Sequence, residues 1–133
     1  MKFRKDFVTN SSSSSFVAVF GKATDKDLAE KSATENGMEE CLYRGSDLLK
    51  NWDNLYNWNT CNDWCWVDPF PDEDKIEADG LYFVYSECED VGANDWGEIN
   101  EDEVDKHCVS VIDRMNKIEG FDFIVDSGSG RNG

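Results

Sequence analysis

The sequence predicts an α+β (or small α/β) fold: a mostly covered mixed sheet of about four to five strands, with about three helices packed on it. Three observations predict it. The unbroken apolar run Phe16-Val-Ala-Val-Phe20 lacks the polar alternation of a half-exposed strand and reads as a strand covered on both faces. A second bulky run, Leu81-Tyr-Phe-Val-Tyr85, calls for the sheet interior. Residues at helical spacing fall between and after these runs, most clearly Val104, Cys108, Val111, Ile112, Met115 and Ile118. A length of 133 residues suits one domain.

In chain order, residues 1–13 form a basic, serine-rich arm, and Ser14–Gly21 is the first strand. Thr24 offers an N-cap, Asp25 and Asp27 suit the first turn, and Gly37 stops a helix with the thin stripe Leu28, Ala29 and Ala33. Met38–Tyr43 reads as a short strand before an Arg44-Gly45 turn. Ser46 then caps a helix whose Leu48, Leu49, Trp52, Leu55 and Tyr56 share one face, ended by Asn57–Asn62. Asp63–Val67 reads as a short aromatic strand, followed by a loop punctuated by Pro69 and Pro71. Asp79-Gly80, between Lys75–Ala78 and Leu81–Tyr85, is a type I′ hairpin signal. Ser86–Asn100 is an acidic loop. Asn100 caps the clearest helix, Glu101, Asp102 and Glu103 suit its positive end, and Gly120 stops it. Phe121–Asp126 is a last strand, closing a single compact domain over 1–126, and 127–133 is expected to be a disordered Gly/Ser tail. The two longest helices are expected to share a face of the sheet, because both carry single stripes.

The charge is large and uneven. Twenty-nine acids against thirteen bases give −16. Lys2, Arg4, Lys5 and Lys22 against Asp6 make residues 1–22 locally +3, so the other 111 residues carry −19. From Asp68 to Asp105 there are fifteen acids and one lysine, Lys75. Such a body repels nucleic-acid backbones and anionic membranes, so neither is an expected partner. Five cysteines cannot all pair within one chain, which points to a reducing compartment. Phe16–Phe20 is shorter than the roughly 7–15 residues of a signal-peptide core, and no run approaches the ~20 of a membrane span. The expected location is the cytoplasm.

Four constellations bear on function. Cys61 and Cys65 stand at C-x3-C spacing, within zinc-ligand range, but a second pair is needed. As a metal site they are the weaker alternative to two thiols in an aromatic cluster, and no metal or other cofactor is expected. Trp58, Trp64 and Trp66, interleaved with asparagines, read as a hydrophobic cluster under a long loop, with a small-molecule site as the alternative. A calcium loop starting at Asp90 fails at two positions, with Gly92 third and Asp95 sixth. His107, the single histidine, sits at the edge of the last helix's stripe and reads as a half-buried packing residue with no nucleophile to serve. No catalytic constellation emerges, and the chain reads as a non-enzyme.

The fifteen-acid stretch remains. Single-sign clustering costs stability through self-repulsion, so it reads as an interface for a basic protein surface. The candidate partner-binding residues are Asp68, Asp72, Glu73, Asp74, Glu77, Glu89, Asp90, Asp95, Trp96 and Glu98.

The start of the chain, Lys2-Phe3-Arg4-Lys5-Asp6-Phe7-Val8-Thr9-Asn10 followed by Ser11–Ser15 and Phe16, resembles an N-terminal signature of small phage- and prophage-associated proteins of uncharacterised role. The likeness covers about fifteen residues and implies a phage context, hence a host-cell cytoplasm, with no activity and no functional residue carried over. Together these readings make the expected function that of a small acidic phage-type accessory protein. It would bind another protein and mask a basic nucleic-acid-binding surface, as an inhibitor that mimics a nucleic-acid backbone. The alternatives are a ligand- or metal-binding domain centred on residues 52–66 and a structural or self-assembling phage subunit.

Overall fold

A computed structural model of the chain describes residues 12–60, 67–91 and 101–132. Four strands form one sheet: β1 (Ser12–Ala23), β2 (Leu42–Arg44), β3 (Leu81–Asp90) and β4 (Phe121–Asn132), in the order β2-β3-β1-β4. The fold is α+β, as the sequence predicts, and every strand pair is antiparallel, so the sheet is not mixed. The helices are α1 (Lys26–Glu35), α2 (Gly45–Lys50), α3 (Trp52–Thr60) and α4 (Glu101–Met115). Among the described residues, no helix is long and apolar enough to cross a membrane.

The apolar run is the centre of the molecule. Phe16 to Phe20 are all at most 3% exposed, because β1 is flanked by β3 and β4 and covered above and below. Alternation divides the run between two layers. Val17 and Val19 join Phe83, Ala33 of α1, and Val111 and Met115 of α4. Phe20 joins Leu48 of α2, Trp52 of α3, Ile76, Tyr82 and Val84, while Phe16 and Ala18 meet Val67. Thus α4 shares its face with α1, and the Ser46 segment lies on the other face. The two longest helices, α4 and α1, therefore lie together, as expected. A continuous apolar strand has two faces to cover, and one helix layer cannot serve both.

Local chemistry explains most element ends. Asp25, rather than Thr24, caps α1, its carboxylate accepting from Leu28 N–H at 3.2 Å, while the Thr24 hydroxyl donates to Gly120 O. The Ser46 helix is two pieces that break at Asn51, whose side-chain amide donates to Asp47 O at 3.1 Å. Met38–Tyr43 becomes a 3₁₀ turn, Glu39–Cys41, before the short β2. The Asp63–Val67 strand falls outside the described residues except for Val67, which is buried in a loop.

Three expectations about loops are corrected. Asp79-Gly80 does not join two paired strands: residues 73–75 form a 3₁₀ turn, and β3 pairs instead with β1 and β2. The backbone of that would-be strand is committed elsewhere. Glu77 N–H donates to the Tyr82 hydroxyl at 2.8 Å, and the carbonyls of Ala78 and Gly80 each accept at 2.9 Å, from Ser46 N–H and Gly45 N–H. The acidic loop from Ser86 starts late, since β3 continues to Asp90 opposite Ser14. Residues 127–132 are not a tail: they extend β4, with Ser127 opposite Val17 and Asn132 opposite Ser12. The serine run and the Gly/Ser segment each look like linker alone, but they satisfy one another's backbone groups in register. Ser14 and Ser15 are 0% exposed as a result.

Candidate functional site

The predicted acids divide between the two faces of the sheet. On the α2–α3 side, residues 67–80 cross the sheet as a loop pinned at several points. Phe70 inserts among Phe20, Trp52 and Tyr56, at ring-centroid separations of 5.2, 5.7 and 5.5 Å, and Ile76 is buried beside Tyr82. Asp68 is part of the anchor. Its carboxylate accepts from the Tyr56 hydroxyl at 2.6 Å and Phe70 N–H at 3.1 Å, while its own N–H donates to Asp126. Glu77 pairs with Lys22 at 3.2 Å, both side chains half-exposed. Between these ties, Asp72, Glu73 and Asp74 are exposed, and no cation lies within ion-pair distance of them among the described residues. This loop presents a fixed carboxylate surface.

Glu89 and Asp90 are exposed at the far end of β3. Glu77 lies beside Lys22, and Glu89 lies opposite Ser15, seven residues away along β1. At ~3.3 Å per residue that is about 23 Å, so the two groups are separate surfaces. Asp95, Trp96 and Glu98 lie outside the described residues, as do Cys61, Trp64, Cys65 and Trp66. Trp58 is 41% exposed on α3, beside the exposed Asn54 and Asn57. Asn59 is no turn former: it is buried, accepting from the Ser86 hydroxyl at 2.6 Å and donating to Leu55 O at 2.7 Å.

A polar cluster that the sequence reading missed lies on the α1–α4 side. His107 is 3% exposed, not half-buried, because the inward face of α4 runs through His107, Val111 and Met115. Ile112 and Val109 of the same helix are 37% and 55% exposed, so the stripe is rotated toward the histidine. Nε2 lies 2.8 Å from Glu87 Oε1 and 3.7 Å from Glu89 Oε2. The other Glu87 oxygen accepts from the Tyr85 hydroxyl at 2.5 Å and from Arg114, which also donates to that hydroxyl at 3.2 Å. The hydrogen bond with His107 leads in holding the Glu87 carboxyl down at about 2; the Tyr85 and Arg114 contacts add to it, and together they outweigh burial. Burial, then Glu87, pushes the Tyr85 phenol up to about 12. Glu87 is therefore a carboxylate at neutral pH, and since a carboxylate only accepts, Nε2 carries the proton. Nδ1 is buried and has no hydrogen-bond partner among the described residues.

The sequence did carry a signal for this cluster. Glu87 and Glu89 alternate onto one strand face, and His107, Val111 and Arg114 lie on one helical face. What was missing was the length of β3: while residues 86–90 read as loop, the two glutamates had no common face. A nucleophile is still absent at Cys41, where burial and then Glu40 push the thiol up to about 11 and keep it protonated at neutral pH.

Fold and surface together define a small α+β protein with a pinned acidic loop and a separate His–Glu cluster built on a buried histidine. No family model, no curated protein and no solved structure matches the chain.

Proposed function

We propose that this is a small acidic accessory protein, of phage type, that acts by binding a protein with a basic surface and masking a site that otherwise holds nucleic acid. The observation that carries the reading is Asp72-Glu73-Asp74, exposed and without a cationic partner among the described residues, on a loop anchored by Phe70, Ile76 and Asp68. A pinned loop loses little conformational freedom on docking, so its carboxylates meet a partner already ordered. The net charge of −16 supports the same reading, since a field of one sign steers a basic partner and repels polyanions. The N-terminal likeness to phage-associated proteins supplies the context.

The test is capture of a partner from host lysate on the immobilised full chain at low salt, followed by a competition assay. The protein should displace labelled nucleic acid from the captured partner, and raising the salt should abolish the displacement, because exposed charges are screened beyond ~8–10 Å. A partner bound equally well at high salt, or one that keeps its nucleic acid, would refute the proposal.

A further inference from the structure

We propose that Glu87, Glu89 and His107 form a binding site for one divalent transition-metal ion of the Zn2+ class, independent of the acidic loop. The three side chains bring their ligand atoms within 4.8 Å of one another. Nε2 lies 2.8 Å from one carboxylate oxygen and 3.7 Å from the other. With metal–ligand bonds of about 2.1 Å, neighbouring ligand atoms stand about 3.0 Å apart in octahedral geometry and about 3.4 Å in tetrahedral geometry. The two spacings from Nε2 bracket these values, and the two carboxylate oxygens lie within 4.8 Å of each other, so side-chain adjustment completes the site.

The surroundings suit a metal. Tyr85 and Arg114 hold Glu87 by one oxygen and leave Oε1 facing His107, which is how outer-shell partners orient a ligating carboxylate. Glu89, with its side chain 58% exposed, gives the ion a route from solvent. Ser15 stands opposite Glu89 in the ladder and so leaves the sheet on the same face. Its hydroxyl is fully buried and has no hydrogen-bond partner among the described residues. Cross-strand pairing sets this second, independent polar group beside Glu89. Nδ1 of His107 has no partner either, so nothing on that side fixes the tautomer. Coordination moves the ring proton from Nε2 to Nδ1 and exchanges the Nε2–H···Oε1 hydrogen bond with Glu87 for bonds from both atoms to the metal. One imidazole with two carboxylates selects Zn2+ and its first-row neighbours over Ca2+ and Mg2+, which take oxygen donors.

Because His107 is the single histidine, its ring nitrogens report without ambiguity in ¹⁵N NMR. Zn2+ added to the chelator-treated full chain should move Nε2 to a metal-bound shift and saturate at one equivalent. A Cys61→Ser/Cys65→Ser variant should behave identically. Glu89→Gln, at an exposed position, should keep the fold and weaken binding at least about tenfold, the lower limit reached even by outer-shell losses. Ca2+ should leave the ring unmoved. The proposal is overturned by an unmoved ring at excess Zn2+, by undiminished binding in Glu89→Gln, by loss of binding in the cysteine variant, or by an equal response to Ca2+. None of these outcomes touches the acidic-loop reading.

Discussion

Glu87→Gln probes the buried network most sharply. The wild-type carboxylate accepts from His107 Nε2 at 2.8 Å, from the Tyr85 hydroxyl at 2.5 Å and from Arg114. A glutamine keeps one acceptor oxygen and turns an amide N–H2 toward groups that are themselves donors. Glu87 titrates at about 2 in the fold against 4.5 ordinarily, and at ~1.36 kcal/mol per pH unit this is worth about 3 kcal/mol at neutral pH. Its side chain is 22% exposed, so solvent recovers part of that, and the expected loss is about 2–3 kcal/mol. A carboxyl depressed by folding stabilises fully above its ordinary value, and that stabilisation disappears as pH falls toward about 2. The two proteins should therefore differ at neutral pH and converge in acid. Urea unfolding, followed by circular dichroism at neutral pH and in steps between 4.5 and about 2, measures this directly. A neutral-pH difference below ~0.5 kcal/mol, or one that persists unchanged at the acid end, would refute the reasoning.

Three further predictions concern the corrected parts of the fold. In Gly45→Ala the new Cβ would lie 1.6 Å from Glu77 O, a backbone collision, so urea unfolding should show a loss of more than about 2 kcal/mol. Tyr82→Phe removes the acceptor of Glu77 N–H at a 1% exposed position. It should cost about 1–3 kcal/mol and speed hydrogen exchange at Glu77. A chain ending at Asp126 strips the β4 partner from Ser12–Val17 and should lower the thermal midpoint and the protection of those amides; unchanged stability would mean that residues 127–132 add nothing.

The parts of the fold legible in the sequence are those written in apolar periodicity. Phe16–Phe20 and Leu81–Tyr85 announce buried strands by their bulk, and all of the first run and Tyr82, Phe83 and Val84 of the second lie in the core. The misread parts are those where polar or small residues sit in regular structure for reasons set by distant segments. Ser12–Ser15 and Ser127–Asn132 have no apolar pattern of their own and become strand through distant partners, each other and the end of β3. Asp79-Gly80 carries hairpin chemistry, but Tyr82 and Ser46 capture the backbone on its N-terminal side. The His107 cluster stayed hidden for a related reason. Helical phase around Val104, Cys108 and Ile112 differs by one position from the phase through His107, Val111 and Met115, and a partly buried acceptor, Glu87, satisfies the histidine that the second phase buries. The acidic surface was readable as charge. Its division between two faces depends on the path of residues 67–80 across the sheet, which no local pattern encodes.

The most direct test of the functional account is the association rate of the captured partner across ionic strength, for wild type and for Asp72→Asn/Glu73→Gln/Asp74→Asn. Wild type should associate faster at low salt, the variant should lose most of that advantage with little change in dissociation, and the two should converge at high salt. Equal rates for both proteins at low salt, or a wild-type rate independent of salt, would contradict it.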